Sequence, residues 1–101
     1  MPGINMKMIQ QMQTRVMKIQ QELAETIVEG SAGGGVVTAR VSGAREFEGI
    51  TIDPSAVDPD DVEMLEDLIT AAIKDAMAKA AALGEEKLGG LTGGMKIPGL
   101  T

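Results

Sequence analysis

GITIDPSAVDPDDVEMLEDLITAAIKDAMAKAAAL, residues Gly49 to Leu83, reads as a short apolar strand, a proline-punctuated acidic turn and a long amphipathic helix. The helix start is marked several times over. Asp58 suits an N-cap, Pro59 the first helical position, and Asp60, Asp61 and Glu63 set negative charge against the positive end of the helix dipole, so a boundary near residue 58 is predicted. Beyond it, Val62, Leu65, Ile69, Ile73, Ala76, Ala80 and Leu83 recur three and four apart, which puts them on one buried face. Glu66, Asp67, Lys74, Asp75 and Lys79 fill the opposite, solvated face, with Asp75 four residues before Lys79 and able to pair with it.

The remaining chain must pack around this unit. At 101 residues it is one small domain, and with Phe47 as its single aromatic its core is built from Ile, Val, Leu, Met and Ala. So thin a core favours a second copy to help cover the long helix. There is no Cys and no His. Disulfides, thiolate or imidazole metal ligation and His-activated nucleophiles are thereby excluded, and no cofactor or metal site is expected. No charge-free apolar run reaches about 18 residues and no secretory pattern appears, so the chain reads as cytosolic, with no membrane partner.

The net charge is −6, but it is unevenly spread. From Met1 to Gln21 the only charged residues are Lys7, Arg15 and Lys18, whereas acids crowd into Asp53 to Asp67. A basic patch acts locally, within a Debye length of about 8 Å, so the distribution matters more than the sum. A first helix is predicted over about Met6 to Ala24, with Ile9, Met12, Val16, Ile19 and Leu23 forming a coiled-coil-like seam. Lys7, Gln11, Thr14, Arg15 and Lys18 share a sector away from the seam. That stripe suits either a face kept soluble by Lys and Gln or contact with phosphate. Met6, Met8, Met12 and Met17 suit core and dimer packing better than a cofactor or partner groove.

From Glu25 the period changes, and the β-branched Thr26, Ile27 and Val28 predict a strand ending at Gly30, followed by a turn through Ser31, Ala32, Gly33, Gly34 and Gly35. This glycine cluster lacks a following GK[ST] and leads into a strand, which argues for a hairpin loop and against a nucleotide loop. Val36 to Ser42 alternates, with Val37, Ala39 and Val41 on a buried face and Thr38, Arg40 and Ser42 on a wetted one. After a turn at Gly43, Ala44 and Arg45, the strand Glu46 to Ile52 has Ile50 and Ile52 in phase but Phe47 out of phase, which a bulge at Gly49 reconciles. Gly84 is expected to interrupt the second helix, with one further turn over Glu85 to Leu88. Residues 1–88 then form the domain and 89–101 a flexible Gly-rich tail. The resulting order, helix, three antiparallel strands, helix, is an α+β arrangement with a three-stranded meander between two long helices.

A Met- and Gln-rich first helix, then VEGSAGGGVVTARVSG, then ITIDPSAVDPDDVEMLEDLITAAIKDAMAKA and a Gly- and Met-containing end, resembles the YbaB/EbfC family of bacterial nucleoid-associated proteins over nearly the whole chain. The resemblance implies an α-β-β-β-α fold, a tight homodimer with projecting helical arms, and DNA binding. This chain departs from it in carrying few Lys and Arg on the arms. With antiparallel helices, Lys7 would meet Lys79 or Lys87 at one tip, so Lys7, Arg15, Lys18, Lys79 and Lys87 are the expected DNA contacts. Ile9, Met12, Val16, Ile19, Leu23, Leu65, Ile69 and Ile73 are the expected core and dimer residues. Arg40 and Arg45, on the sheet, are expected to matter less.

No helix-turn-helix, zinc finger or aromatic platform is recognisable. Backbone contact to duplex DNA with little sequence preference is therefore expected, in a nucleoid-associated homodimer that organises the chromosome and influences gene expression. The rival reading is an acidic scaffold dimer whose Met-lined helices bind another protein. An enzyme is not expected, because capping already accounts for the acids.

Overall fold

In a computed structural model, residues 6–91 are described. α1 spans Met6–Glu25, β1 Ile27–Ala32, β2 Val37–Ser42, β3 Phe47–Ile52 and α2 Val62–Leu91, an α-β-β-β-α order. The sheet is antiparallel throughout in the order β1-β2-β3. α2 lies across one face of it, and the core comprises Val37, Ala39 and Val41 of β2 against Ala72, Ala76 and Ala80 of α2, all fully buried, together with Ala56. The predicted alternation of β2 is observed on this face, but Ser42 is buried. Its hydroxyl accepts from the Glu46 N–H at 3.1 Å, which satisfies both groups within the β2–β3 turn.

The closest approach is at Gly30. A β-carbon there would lie 2.1 Å from the Ala76 amide nitrogen, so the strand and helix backbones meet directly. This is why the Ala positions of α2 are its deepest, while Leu65, Ile69 and Ile73 are half-buried beside them and Val62 is exposed. The β1–β2 connection is Gly33–Gly35, all with positive φ (64, 72 and 98°), a conformation that costs other residues a steric clash at Cβ.

Several boundaries differ from those predicted. β1 runs two residues beyond Gly30 because Ser31 and Ala32 pair with Thr38 and Val37. The bulge is present in β3, but the extra residue is Glu48: Arg40 lies opposite Gly49 and Val41 opposite Phe47. α2 begins after residue 58. The Asp58 carbonyl accepts from the Asp61 N–H at 2.9 Å and its carboxylate from the Asp60 N–H at 2.9 Å, which makes Asp58-Pro59-Asp60-Asp61 a turn. Asp61 is the residue that caps the helix, accepting from the Met64 N–H at 3.2 Å. At the other end, Gly84 does not interrupt α2, which continues to Leu91. Gly84 lies against Leu23 at the foot of α1, and this packing offsets its poor helix propensity of about 1 kcal/mol. The expected tail thus contributes Gly89 to Leu91 to the helix, and its remainder lies outside the described residues.

The molecule is elongated, 68 × 25 × 16 Å with a radius of gyration of 18.7 Å, against about 13 Å for a compact chain of 100 residues. Two long helices account for this, about 45 Å for the 30 residues of α2 and about 30 Å for the 20 residues of α1. Only Leu23 of the α1 seam is buried (7% exposed), Val16 and Ile19 are half-buried, and Ile9 and Met12 are 41% and 47% exposed.

Candidate nucleic-acid interface

α1 carries Lys7, Arg15 and Lys18 on one continuous 20-residue helix. Lys7, Gln10, Gln11, Thr14 and Arg15 line a shallow open recess on its surface, and Lys18 follows one turn later. The Thr14 hydroxyl donates to the Gln10 carbonyl at 2.9 Å, so it is already engaged with its own helix. No ion pair among the described residues involves Lys7, Arg15 or Lys18. Over Met6 to Gln21, α1 contains no acid. Three cations therefore remain available along about 16 Å of helix, counting 1.5 Å per residue from position 7 to position 18.

The two lysines of α2 stand differently. Lys79 pairs with Asp75 at 3.1 Å, as its spacing predicted. Asp75 also accepts from the Ser31 N–H at 3.0 Å, and this bond, with Lys79 second, holds its carboxyl below the ordinary range. Asp75 is thus no simple member of a solvated face: it occupies an otherwise unpaired amide of the edge strand β1. Lys87 reaches Glu22 at 3.5 Å. That contact places the end of α2 at the foot of α1, fifteen residues from Lys7, or about 22 Å along the helix. The expectation that Lys7 meets Lys79 or Lys87 at one tip of the chain is therefore corrected. α2 overlaps only the base of α1, because the sheet holds most of its length.

The sheet arginines also differ from each other. Arg40 is half-buried, donates to the Thr51 hydroxyl at 2.8 Å and lies over Gly49. Arg45 is exposed in the β2–β3 turn with φ 67°. Sequence reasoning placed Arg45 in a turn without noting that its position demands a left-handed backbone. The available signal was the SGAR spacing between two strands, where a three-residue loop commonly ends in Gly.

Among the described residues no group of three or more acids could hold a metal ion, and no helix is long and apolar enough to cross a membrane. The acids have local tasks. Asp53 accepts from the Ser55 N–H at 2.9 Å, which lowers its pKa, and Asp58 and Asp61 order the entrance to α2.

A sequence model of the YbaB/EbfC DNA-binding family matches residues 3–95. The chain belongs to this family. Family relatives include a nucleoid-associated protein of Chloroflexus aurantiacus, 58% identical over 90% of this chain and 91% of the relative. Another, from Roseiflexus sp. (strain RS-1), is 56% identical over 92% of each chain. A third, from Nocardia farcinica, is 55% identical over 90% of this chain and 83% of the relative. The fold is also similar to the crystal structure of an uncharacterized protein from Helicobacter pylori, with a TM-score of 0.68 at 20% identity, covering 88% of this chain and 94% of that one. Family membership agrees with the resemblance carried by the Gly30–Gly35 and Glu63–Leu68 segments, and the α+β order agrees with the predicted fold class.

Proposed function

We propose that the protein is a nucleoid-associated DNA-binding homodimer of the bacterial cytoplasm, which contacts the phosphate backbone of duplex DNA through α1 and has little sequence preference. It would thereby take part in organising the chromosome and in gene expression, without enzymatic activity. The observation that carries this reading is the acid-free line Lys7, Arg15 and Lys18 on a projecting helix, cations that join no ion pair among the described residues. Phosphate contact needs exposed cations at intervals and no shaped pocket, and these residues meet that requirement. Membership of a DNA-binding family and relatives named nucleoid-associated proteins support it. Lys79 and Lys87 become secondary contacts, since each must first leave a carboxylate partner.

The homodimer is supported by what one chain leaves uncovered. Ile9 and Met12 on α1, with Ile27 and Phe47 at 49% and 52% exposure on the sheet, are apolar surface that a second copy would remove from water. The rival scaffold reading is favoured by the net charge of −6 and by Met6 and Met17, each 69% exposed, which would suit a protein groove.

A mobility-shift titration of generic duplex across a salt series separates the two. Binding should weaken with salt at a slope of about −0.9 per phosphate neutralised and be nearly lost when Lys7, Arg15 and Lys18 become Gln together. Duplex binding by that triple variant equal to the parent's across the series rejects the α1 contact. A parent that fails to bind at low salt leaves the scaffold reading in place.

A further inference from the structure

Among the described residues, Lys87 and Glu22 form the ion pair that joins two elements of the fold, with Lys87 Nζ 3.5 Å from Glu22 Oε2, whereas Lys79 and Asp75 pair within α2. The two side chains are 33% and 45% exposed, so solvent screens the pair and it contributes little to stability. Its place is nevertheless closely set. The Gly43 N–H donates to the Thr26 carbonyl at 2.8 Å just beyond α1, and a β-carbon on Gly84 would lie 4.0 Å from Leu23 Cδ1, so the last turn of α1 sits between the β2–β3 turn and α2. Lys87 follows Gly84 by three residues and therefore rises on the side of α2 that faces this turn.

Glu22 also has a cationic neighbour on its own helix. Lys18 stands four residues before it, the spacing at which opposite charges on a helix surface meet. Pairing these two would neutralise the innermost cation of the basic line and withdraw it from phosphate. The structure shows the other arrangement: Glu22 is held by Lys87, while Lys18 is exposed and joins no ion pair among the described residues. Glu25, the next acid of α1, is seven residues from Lys18, about 10 Å along the helix, and also joins no ion pair among the described residues. Glu22 is thus the acid placed to compete for Lys18, and Lys87 is the group that engages it.

Resting on the DNA-binding reading above, we propose that Lys87 is a positioning residue for the α1 contact: by holding Glu22 across the foot of the helix it keeps Lys18 free to meet phosphate. Any contact that Lys87 itself makes with DNA is secondary to this. Its effect on binding is therefore routed through Lys18, which separates it from a lysine that acts by touching DNA or by adding to the net charge.

The test measures binding to a short generic duplex by fluorescence anisotropy over a salt series, with thermal melts alongside. It compares the parent, Lys87→Gln, Lys18→Gln, the Lys18→Gln and Lys87→Gln double variant, and Lys87→Gln combined with Glu22→Gln. Lys87→Gln should bind several-fold more weakly than the parent, with the log K against log salt slope shallower by about 0.9, the loss of one phosphate contact. In the Lys18→Gln background the same change should have no further effect, and adding Glu22→Gln to Lys87→Gln should restore the parent's slope. Each variant should melt within a few degrees of the parent. Losses at Lys18 and Lys87 that add in full overturn the assignment, because Lys87 then acts independently of Lys18. So does a slope that Glu22→Gln fails to restore, or a melting temperature that falls by more than a few degrees, which would make the pair a clamp for the fold. Lys87→Gln with the parent's affinity and slope overturns the positioning role while the DNA-binding reading stands. A parent that does not bind at low salt overturns both.

Discussion

α1 and α2 are both long and amphipathic, yet they bury their apolar faces by different means. α2 presses Ala72, Ala76 and Ala80 onto Gly30 and β2, so its backbone reaches the sheet and little of the stripe is left over. α1 shows larger side chains, Ile9, Met12 and Val16, to surroundings that the chain itself does not fill, and is anchored mainly through Leu23. Small residues permit close backbone contact, which fixes a helix in one place. Large residues on a helix without a partner leave a lever with unsatisfied apolar surface. The charges divide similarly: the ion pairs among the described residues are made by α2 lysines, and none of them involves the α1 cations.

This contrast can be broken most severely at Gly30. Gly30→Ala should cost about 3 kcal/mol or more, because its methyl meets the α2 backbone and neither element can yield without displacing the core; urea denaturation measures it. Ile69→Asp, with a half-buried side chain beside that core, should cost about 2–4 kcal/mol, and an unchanged denaturation midpoint would mean that the packing face is misassigned.

The α1 side of the contrast predicts the opposite pattern. Ile9→Asp combined with Met12→Asp should preserve the circular dichroism of the sheet domain but lower the solution mass measured by light scattering, if the seam is covered by a second copy as proposed. A parent of monomer mass at micromolar concentration would remove that reading. The Lys7, Arg15 and Lys18 triple Gln variant should lose duplex affinity with a melting temperature within a few degrees of the parent, since these exposed side chains join no ion pair among the described residues.

The smallest expected effect lies where α2 guards the edge of β1. The Asp75 carboxyl is held below its ordinary value of 3.8 by the Ser31 N–H and then by Lys79. A group whose folded pKa is depressed contributes stability above its unfolded value and loses it as pH falls through the folded one. The contribution should therefore be complete at neutral pH and fade below about pH 4, and Asp75→Asn should flatten this part of the acid-unfolding profile. An unchanged profile would indicate that the bond to Ser31 contributes nothing measurable to stability.

Much of this was legible in the sequence, because it depends on local periodicity. The seam of α1, the alternation of β2, the bulge needed to bring Phe47 into register and the pairing of Asp75 with Lys79 all follow from spacing along one element. The candidate cations of α1 were legible too, since the absence of acids from Met1 to Gln21 is a sequence fact. Other features arise only when distant segments meet. Asp58 and Asp61 are equally good caps by composition, and the turn through Pro59 decides between them. Gly84 is a helix breaker by propensity, and contact with Leu23 overrides it. The distance between Lys87 and Lys7, the depth of Ala76 against Gly30 and the strain at Arg45 depend on where the sheet places α2 and where α1 receives the β2–β3 turn. Side-chain pattern determines which face of an element is apolar, but steric contact between backbones determines how close two faces come and which charges are left without partners.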